Sequence, residues 1–127
     1  MITPALMALL NAGVRILPKH MLTEVEDVLA HAARGKGRRI PRFMTAYQIL
    51  ERLDQPLRGR LERQYGSSGK GAHHYFGAAT SVAKAAVMLE KQGKIRIEYI
   101  DTSGIEAGRR GKTVEPGYSV CGIYQVV

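Results

Sequence analysis

The sequence predicts an α+β fold in which helices come first and a β-hairpin closes the chain. Apolar residues recur at helical spacing over about the first two thirds of the sequence. From Lys94 the period changes to two, because Ile95, Ile97 and Tyr99 alternate with polar residues, as in a strand with one buried face. A glycine- and arginine-rich loop then leads to a second apolar run, residues 118–127.

Length and composition fit one compact domain. The chain has 127 residues, of which 45% are hydrophobic, enough to build one core. Within it we distinguish an N-terminal apolar helix or arm, residues 1–22, from the remainder, residues 23–127. Cys121 is the single cysteine, so an intrachain disulfide and a cysteine-based metal cluster are excluded. A reducing, cytoplasmic setting is therefore expected.

The charge balance indicates a polyanionic partner. Nineteen Lys and Arg against eleven Asp and Glu give a net charge of +8 and a pI near 9.9. Nucleic acid fits best, since its phosphates condense counterions that basic side chains release on binding. An acidic protein or an anionic membrane surface would use the same charge. The apolar run Met1 to Leu17 has no basic start and is too short to span a bilayer, so neither a signal peptide nor a membrane anchor is expected.

The N-terminal segment between Pro4 and Leu17 has large apolar residues at helical spacing, with Gly13 weakening its far end. These residues are Leu6, Leu9, Leu10, Val14 and Leu17. Almost no charge lies opposite this stripe, so it must cover something apolar. One alternative is the core of its own domain. The other is a homodimer through Leu6, Leu9, Leu10 and Val14.

A second helix is expected to start at Thr23, where Glu26 completes a capping-box spacing. Its buried face would comprise Val25, Val28, Leu29 and Ala32. It ends in a basic connector, residues 34–42, which adds five positive charges in nine residues. Three arginines of this connector are candidates for phosphate contact, with a solvated loop as the alternative: Arg38, Arg39 and Arg42.

Two further helices follow the connector. Thr45 and Gln48 repeat the capping-box spacing at the start of a short helix, and Asp54 with Pro56 starts another. The apolar residues of this later helix, expected to face inward, are Leu57, Leu61 and Tyr65. Its arginines, expected on a basic outer side, are Arg58, Arg60 and Arg63.

A glycine loop, residues 66–71, separates these helices from the last one, and its Lys70 is a candidate for nucleic-acid contact. It lacks the glycine spacing of a phosphate-binding P-loop, so nucleotide hydrolysis is not expected. The last helix begins between Ala72 and Ser81, with Thr80 or Ser81 as its cap if the later start applies. Gly93 supplies its stop.

This order of elements, together with the segment MLEKQGKIRIEYID at Met88 to Asp101, resembles the winged helix-turn-helix family. The resemblance implies that the helix before the hairpin lies in the major groove of duplex DNA and that the hairpin loop, or wing, touches the backbone or the minor groove. The residues placed at DNA by this resemblance are Thr80, Ser81 and Lys84 on the helix and Arg109, Arg110 and Lys112 on the wing.

One departure from the family concerns the connection between its second and third helices, which is usually a short turn. Here a helix-like segment and a glycine loop separate Leu53 from Ser81. Either the chain carries an insertion between those two helices, or the helix at 54–65 is itself the third helix of a variant fold.

The sequence thus predicts a non-catalytic DNA-binding protein without cofactor or metal, such as a small transcription regulator or a phage or plasmid accessory protein. His73 and His74 are adjacent and point apart on a helix or strand, so they do not favour a metal site. A protein-interaction or dimerisation module on the same scaffold is one alternative. RNA binding is another, because Tyr75 and Phe76 could stack on unpaired bases.

Overall fold

The structure is a computed structural model that describes residues 2–33, 43–66, 77–101, 107–109, 112–114 and 120–127, the side chains of strand residues between 101 and 121 excepted. In chain order the elements are α1 (Pro4–Asn11), a 3-10 helix (Pro18–Met21), α2 (Leu22–Ala33), β1 (Met44–Thr45), α3 (Ala46–Arg52), α4 (Gln55–Tyr65), α5 (Ala78–Lys91), β2 (Ile95–Asp101), β3 (Ala107–Arg109), β4 (Lys112–Val114) and β5 (Val120–Val126). The predicted α+β class is confirmed.

The main sheet has three antiparallel strands in the order β1-β5-β2. Met44 of β1 lies opposite Tyr124 of β5, which in turn lies opposite Ile97 of β2. Met44 and Tyr124 are buried and Ile97 is partly buried, so this row across the sheet contributes to the core, as does Ile95 of β2. Because β2 and β5 pair in antiparallel fashion, the predicted hairpin is present. The short strand β1, which precedes α3, pairs with β5 and so extends the hairpin to three strands.

Within the loop that joins β2 to β5, strands β3 and β4 form a separate two-stranded ribbon. Arg109 of β3 lies directly opposite Lys112 of β4. Strand β3 also lies beside α3, so the helical part of the molecule supports the ribbon.

Three helices, α2, α3 and α5, pack against one another and cover the sheet. α5 contributes small side chains to this core, since Ala85 and Ala86 are fully buried. Small residues let the helix axes approach closely, which suits a core built mainly from leucine and other aliphatic residues.

The helix ends follow the sequence only in part. At α3 the capping box is confirmed, because the Gln48 N–H donates to Thr45 Oγ1 at 3.2 Å and the Thr45 N–H donates to Gln48 Oε1 at 2.9 Å. Gly93, with φ of 74°, follows α5 as expected. At the start of α5 the cap is Gly77, so neither Thr80 nor Ser81 caps the helix.

The expected start of α2 at Thr23 is wrong. The 3-10 helix leads directly into α2 at Leu22, so Thr23 lies inside the first turn. Glu26 does not complete a capping box there; its carboxylate lies 4.0 Å from the ammonium of Lys94. The helical path through Pro18 to Met21 removes the free helix end that a capping threonine would serve.

Part of the N-terminal stripe packs on its own domain. Helix α1 ends at Asn11, before the expected far end, and Gly13 with φ of 72° redirects the chain. Leu6 and Leu10 are buried in the core at 1% and 8% exposure. These two leucines are therefore not free to form the homodimer surface considered above. Of the other two residues proposed for it, Leu9 is partly buried and Val14 is exposed.

The arginines of α4 do not form a basic outer side. Arg58 is buried, and its Nη1 donates to the carbonyls of Glu51 and Leu53 at 2.7 and 3.1 Å, while its Nη2 donates to Gln55 Oε1. The guanidinium thus satisfies carbonyls at the end of α3 that have no partner within the helix. Arg63 is exposed, as expected.

Candidate nucleic-acid interface

The predicted contact residues of the helix lie in the N-terminal half of α5. Lys84 is exposed and Thr80 is half-buried. Ser81 is different, because it is only 3% exposed and its hydroxyl donates to the Ala78 carbonyl at 2.6 Å. The Ser81 hydroxyl is therefore not accessible to DNA bases in this arrangement, and the prediction that Ser81 contacts DNA is wrong.

Thr80, Ser81 and Lys84 line an open cleft of about 200 Å³. The opposite wall comes from the segment that follows α1 and from the last residue of α4. These lining residues are Arg15, Leu17, Pro18 and Tyr65. The cleft therefore brings two of the predicted helix contacts together with a cation and an aromatic ring that the sequence did not connect to them.

Arg15 and Tyr65 form one unit at this cleft. The guanidinium carbon of Arg15 lies 5.0 Å from the centroid of the Tyr65 ring, the range of a cation–π contact. The Tyr65 hydroxyl donates to the Ile16 carbonyl at 2.6 Å, which fixes the ring against the arm. Tyr65 therefore holds the exposed guanidinium of Arg15 at the cleft, beside α5.

Side chains of α4 hold the arm in place. Gln64 accepts from the Ile16 N–H at 2.9 Å and donates to the Ile16 carbonyl at 2.6 Å. Arg60 donates to the carbonyls of Leu10 and Val14 at 2.7 and 3.1 Å. The positive charge of Arg60 therefore lies at the carboxyl end of α1, where it interacts favourably with the helix dipole.

The tip of the ribbon concentrates predicted wing residues. Arg109 and Lys112 are paired across the strands and lie on either side of a two-residue connection. Arg110 belongs to this connection and lies outside the described residues, as do the side chains of Arg109 and Lys112. The register places Arg109 and Lys112 opposite each other where β3 and β4 are joined.

The remaining sequence-predicted contacts fall outside the described part of the chain. They are Arg38, Arg39, Arg42 and Lys70. The same holds for His73, His74, Tyr75 and Phe76, which entered the metal and base-stacking interpretations.

Sequence reasoning missed the contribution of the arm to this site. Arg15 has no pattern in the sequence that connects it to α5, and Tyr65 was expected to serve the core only. The one available signal was Gly13, which indicated that the chain leaves the helical path before Arg15.

Among the described residues, no three His, Cys, Asp or Glu side chains lie close enough to hold a metal ion. No helix in this part of the chain has the length and apolar character needed to cross a membrane. Comparison with models of protein families, with curated proteins and with solved structures gave no match.

Proposed function

We propose that this protein binds duplex nucleic acid, most favourably DNA, without catalysing a reaction, and that α5 and the β3–β4 ribbon are its contact elements. The observation that carries the proposal is the ribbon itself. Its register sets Arg109 opposite Lys112, and the ribbon lies within the connection between β2 and β5, the two paired strands that follow α5 in the chain. Cationic side chains near a hairpin turn can contact phosphates without a change in the core.

Topology supports a winged-helix scaffold for this function. The short strand β1, which precedes α3, pairs with the far strand of the hairpin, and α2, α3 and α5 pack as a three-helix core on the sheet. In this scaffold α5 is the third helix and leads into the hairpin. Helix α4 packs against α5 and α1, so we interpret it as an insertion between the second and third helices.

The charge supports a mode of binding dominated by phosphate. The chain carries a net charge of +8 in 127 residues, which favours contact with phosphates. The exposed surface of α5 includes two apolar side chains, Val87 and Met88, each 37% exposed. Side chains of this kind offer few hydrogen bonds to base edges. We therefore propose weak sequence discrimination, with affinity coming mainly from counterion release, as in an accessory protein or a regulator of broad specificity.

The test is a titration of a fluorescently labelled duplex of random sequence with the purified protein over a series of salt concentrations. Binding at low salt, with an affinity that falls linearly on a log–log plot against salt, is the expected result. Absence of binding at low salt contradicts the proposal. Unlabelled duplex RNA and single-stranded DNA as competitors decide between the nucleic acids.

A protein-interaction or dimerisation function is the second candidate, and one observation favours it. Val14 and Leu17 are 41% and 37% exposed, although both are large and apolar. A dimer formed there would leave Leu6 and Leu10 in their own core. Sedimentation equilibrium decides this point: a monomer at micromolar concentration that still binds duplex supports the nucleic-acid function instead.

A further inference from the structure

The cleft between the arm and α5 has a size that suits one planar ring. Its volume is about 200 Å³, and an apolar cavity of roughly 150 Å³ is enough to admit a benzene ring. Leu17 and Pro18 give it an apolar wall, and the Tyr65 ring lies on the α4 side. The volume of this open cleft is therefore sufficient for a single aromatic heterocycle.

The rim of the cleft is positive. Arg15 and Lys84 both line it and both are exposed, one on the arm and the other on α5. None of the described residues that line the cleft is acidic. A phosphate attached to a ring inside the cleft would therefore lie near two cations, and the described lining residues would add no repelling carboxylate.

The walls of the cleft are ordered by their own contacts. The Tyr65 hydroxyl donates to the Ile16 carbonyl, and the Gln64 amide bonds both backbone groups of the same residue. The Arg15 guanidinium lies over the Tyr65 ring and so is positioned before any ligand arrives. Binding to such a preorganised site avoids most of the entropic cost of ordering side chains.

We propose that this cleft binds one unpaired nucleotide, with its base against Leu17, Pro18 and Tyr65 and its phosphate between Arg15 and Lys84. The nucleotide is either the end of a nucleic-acid strand or a free mononucleotide, since both present the same base and phosphate. The strand-end form rests on the proposed function, because Lys84 lies on the helix proposed to meet the duplex.

The experiment compares three probes: a blunt duplex, the same duplex with one unpaired thymidine nucleotide at either end, and thymidine monophosphate alone. Burial of one base against Leu17, Pro18 and Tyr65 is expected to give the unpaired form an affinity about tenfold higher than that of the blunt form. Thymidine monophosphate is expected to shift the NMR resonances of Tyr65 and Lys84.

Three variants locate the effect. Thr80→Phe fills the cleft and Lys84→Ala removes one of its cations, so both should abolish or reduce the preference for the unpaired end. Lys91→Ala removes the same charge from an exposed position of the same helix outside the cleft. It should weaken both duplexes equally and leave the preference intact. Circular dichroism melting confirms that each variant is folded.

The outcomes separate this inference from the proposed function. Equal affinity for blunt and unpaired duplexes, with no thymidine monophosphate shifts, overturns the inference and leaves duplex binding standing. If neither duplex binds, the proposed function fails. In that case, monophosphate shifts at Tyr65 and Lys84 that disappear in Thr80→Phe still support the cleft as a nucleotide site, and their absence overturns it.

Discussion

The side chain of Gln64 pairs with the backbone of Ile16 through two hydrogen bonds, accepting from its N–H at 2.9 Å and donating to its carbonyl at 2.6 Å. The two residues are 48 positions apart, so this contact ties the N-terminal arm to α4 in the way that a neighbouring strand would. Ile16 itself is fully buried. The position of Arg15 at the cleft depends on this attachment.

Gln64→Ala should loosen the arm. The Ile16 N–H loses the partner that Gln64 provides, while the Ile16 carbonyl keeps the Tyr65 hydroxyl, so we expect a loss of about 1–2 kcal/mol in the free energy of unfolding. Hydrogen exchange at the Ile16 amide should be faster. Gln92→Ala, at an exposed position after α5, is the control, and an unchanged Ile16 exchange rate in Gln64→Ala would remove the proposed role.

Arg58 and Arg63 offer a matched comparison on one helix. Arg58 is buried and donates to two carbonyls of the preceding turn, whereas Arg63 is exposed. Arg58→Ala should lower the free energy of unfolding by about 2–4 kcal/mol, because charged hydrogen bonds and buried packing are lost together. Arg63→Ala should change it by less than about 0.5 kcal/mol. Urea denaturation of both variants checks the difference, and equal effects would show that burial of Arg58 contributes nothing to stability.

The Tyr124 ring leaves too little space for a side chain at Gly122. A Cβ at Gly122 would lie 2.7 Å from Tyr124 Oη and 3.0 Å from its Cζ. Gly122→Ala should therefore displace a buried tyrosine of the central strand and destabilise the protein by about 1–3 kcal/mol.

A double-mutant cycle tests the cause of that destabilisation. In a Tyr124→Phe background the closest atom is absent, so Gly122→Ala should cost less than it does in the wild type. If the cost is the same in both backgrounds, the clash with the hydroxyl is not its source.

The sequence predicted the elements that depend on local patterns. The change of period at Lys94, the reciprocal cap of Thr45 and Gln48 and the stop at Gly93 each rest on residues close in sequence, and the structure contains all three. Local hydrogen bonding and backbone conformation decide these features, so a few neighbouring residues suffice to predict them.

Features that depend on distant residues could not be predicted in this way. The spacing of apolar residues extended the first helix to Leu17, but the chain bends at Gly13 and buries Ile16 instead. Arg60 was expected to be exposed because of its position on α4, yet its partners lie 46 and 50 residues away in the arm. The cleft is formed by the same docking, so its lining could not be derived from any single segment.

The most direct test of the central claim measures how salt affects duplex binding by the wild type, by Arg109→Ala/Arg110→Ala and by Arg96→Ala. Arg96 is the control, since it lies on β2, outside the ribbon. Its guanidinium is 3.5 Å from the Glu98 carboxylate. If the ribbon neutralises phosphates, the double variant should reduce the log–log salt slope by about two, at roughly 0.9 per lost contact, and the control should leave it nearly unchanged. A double variant that binds duplex with the slope of the wild type would contradict the account.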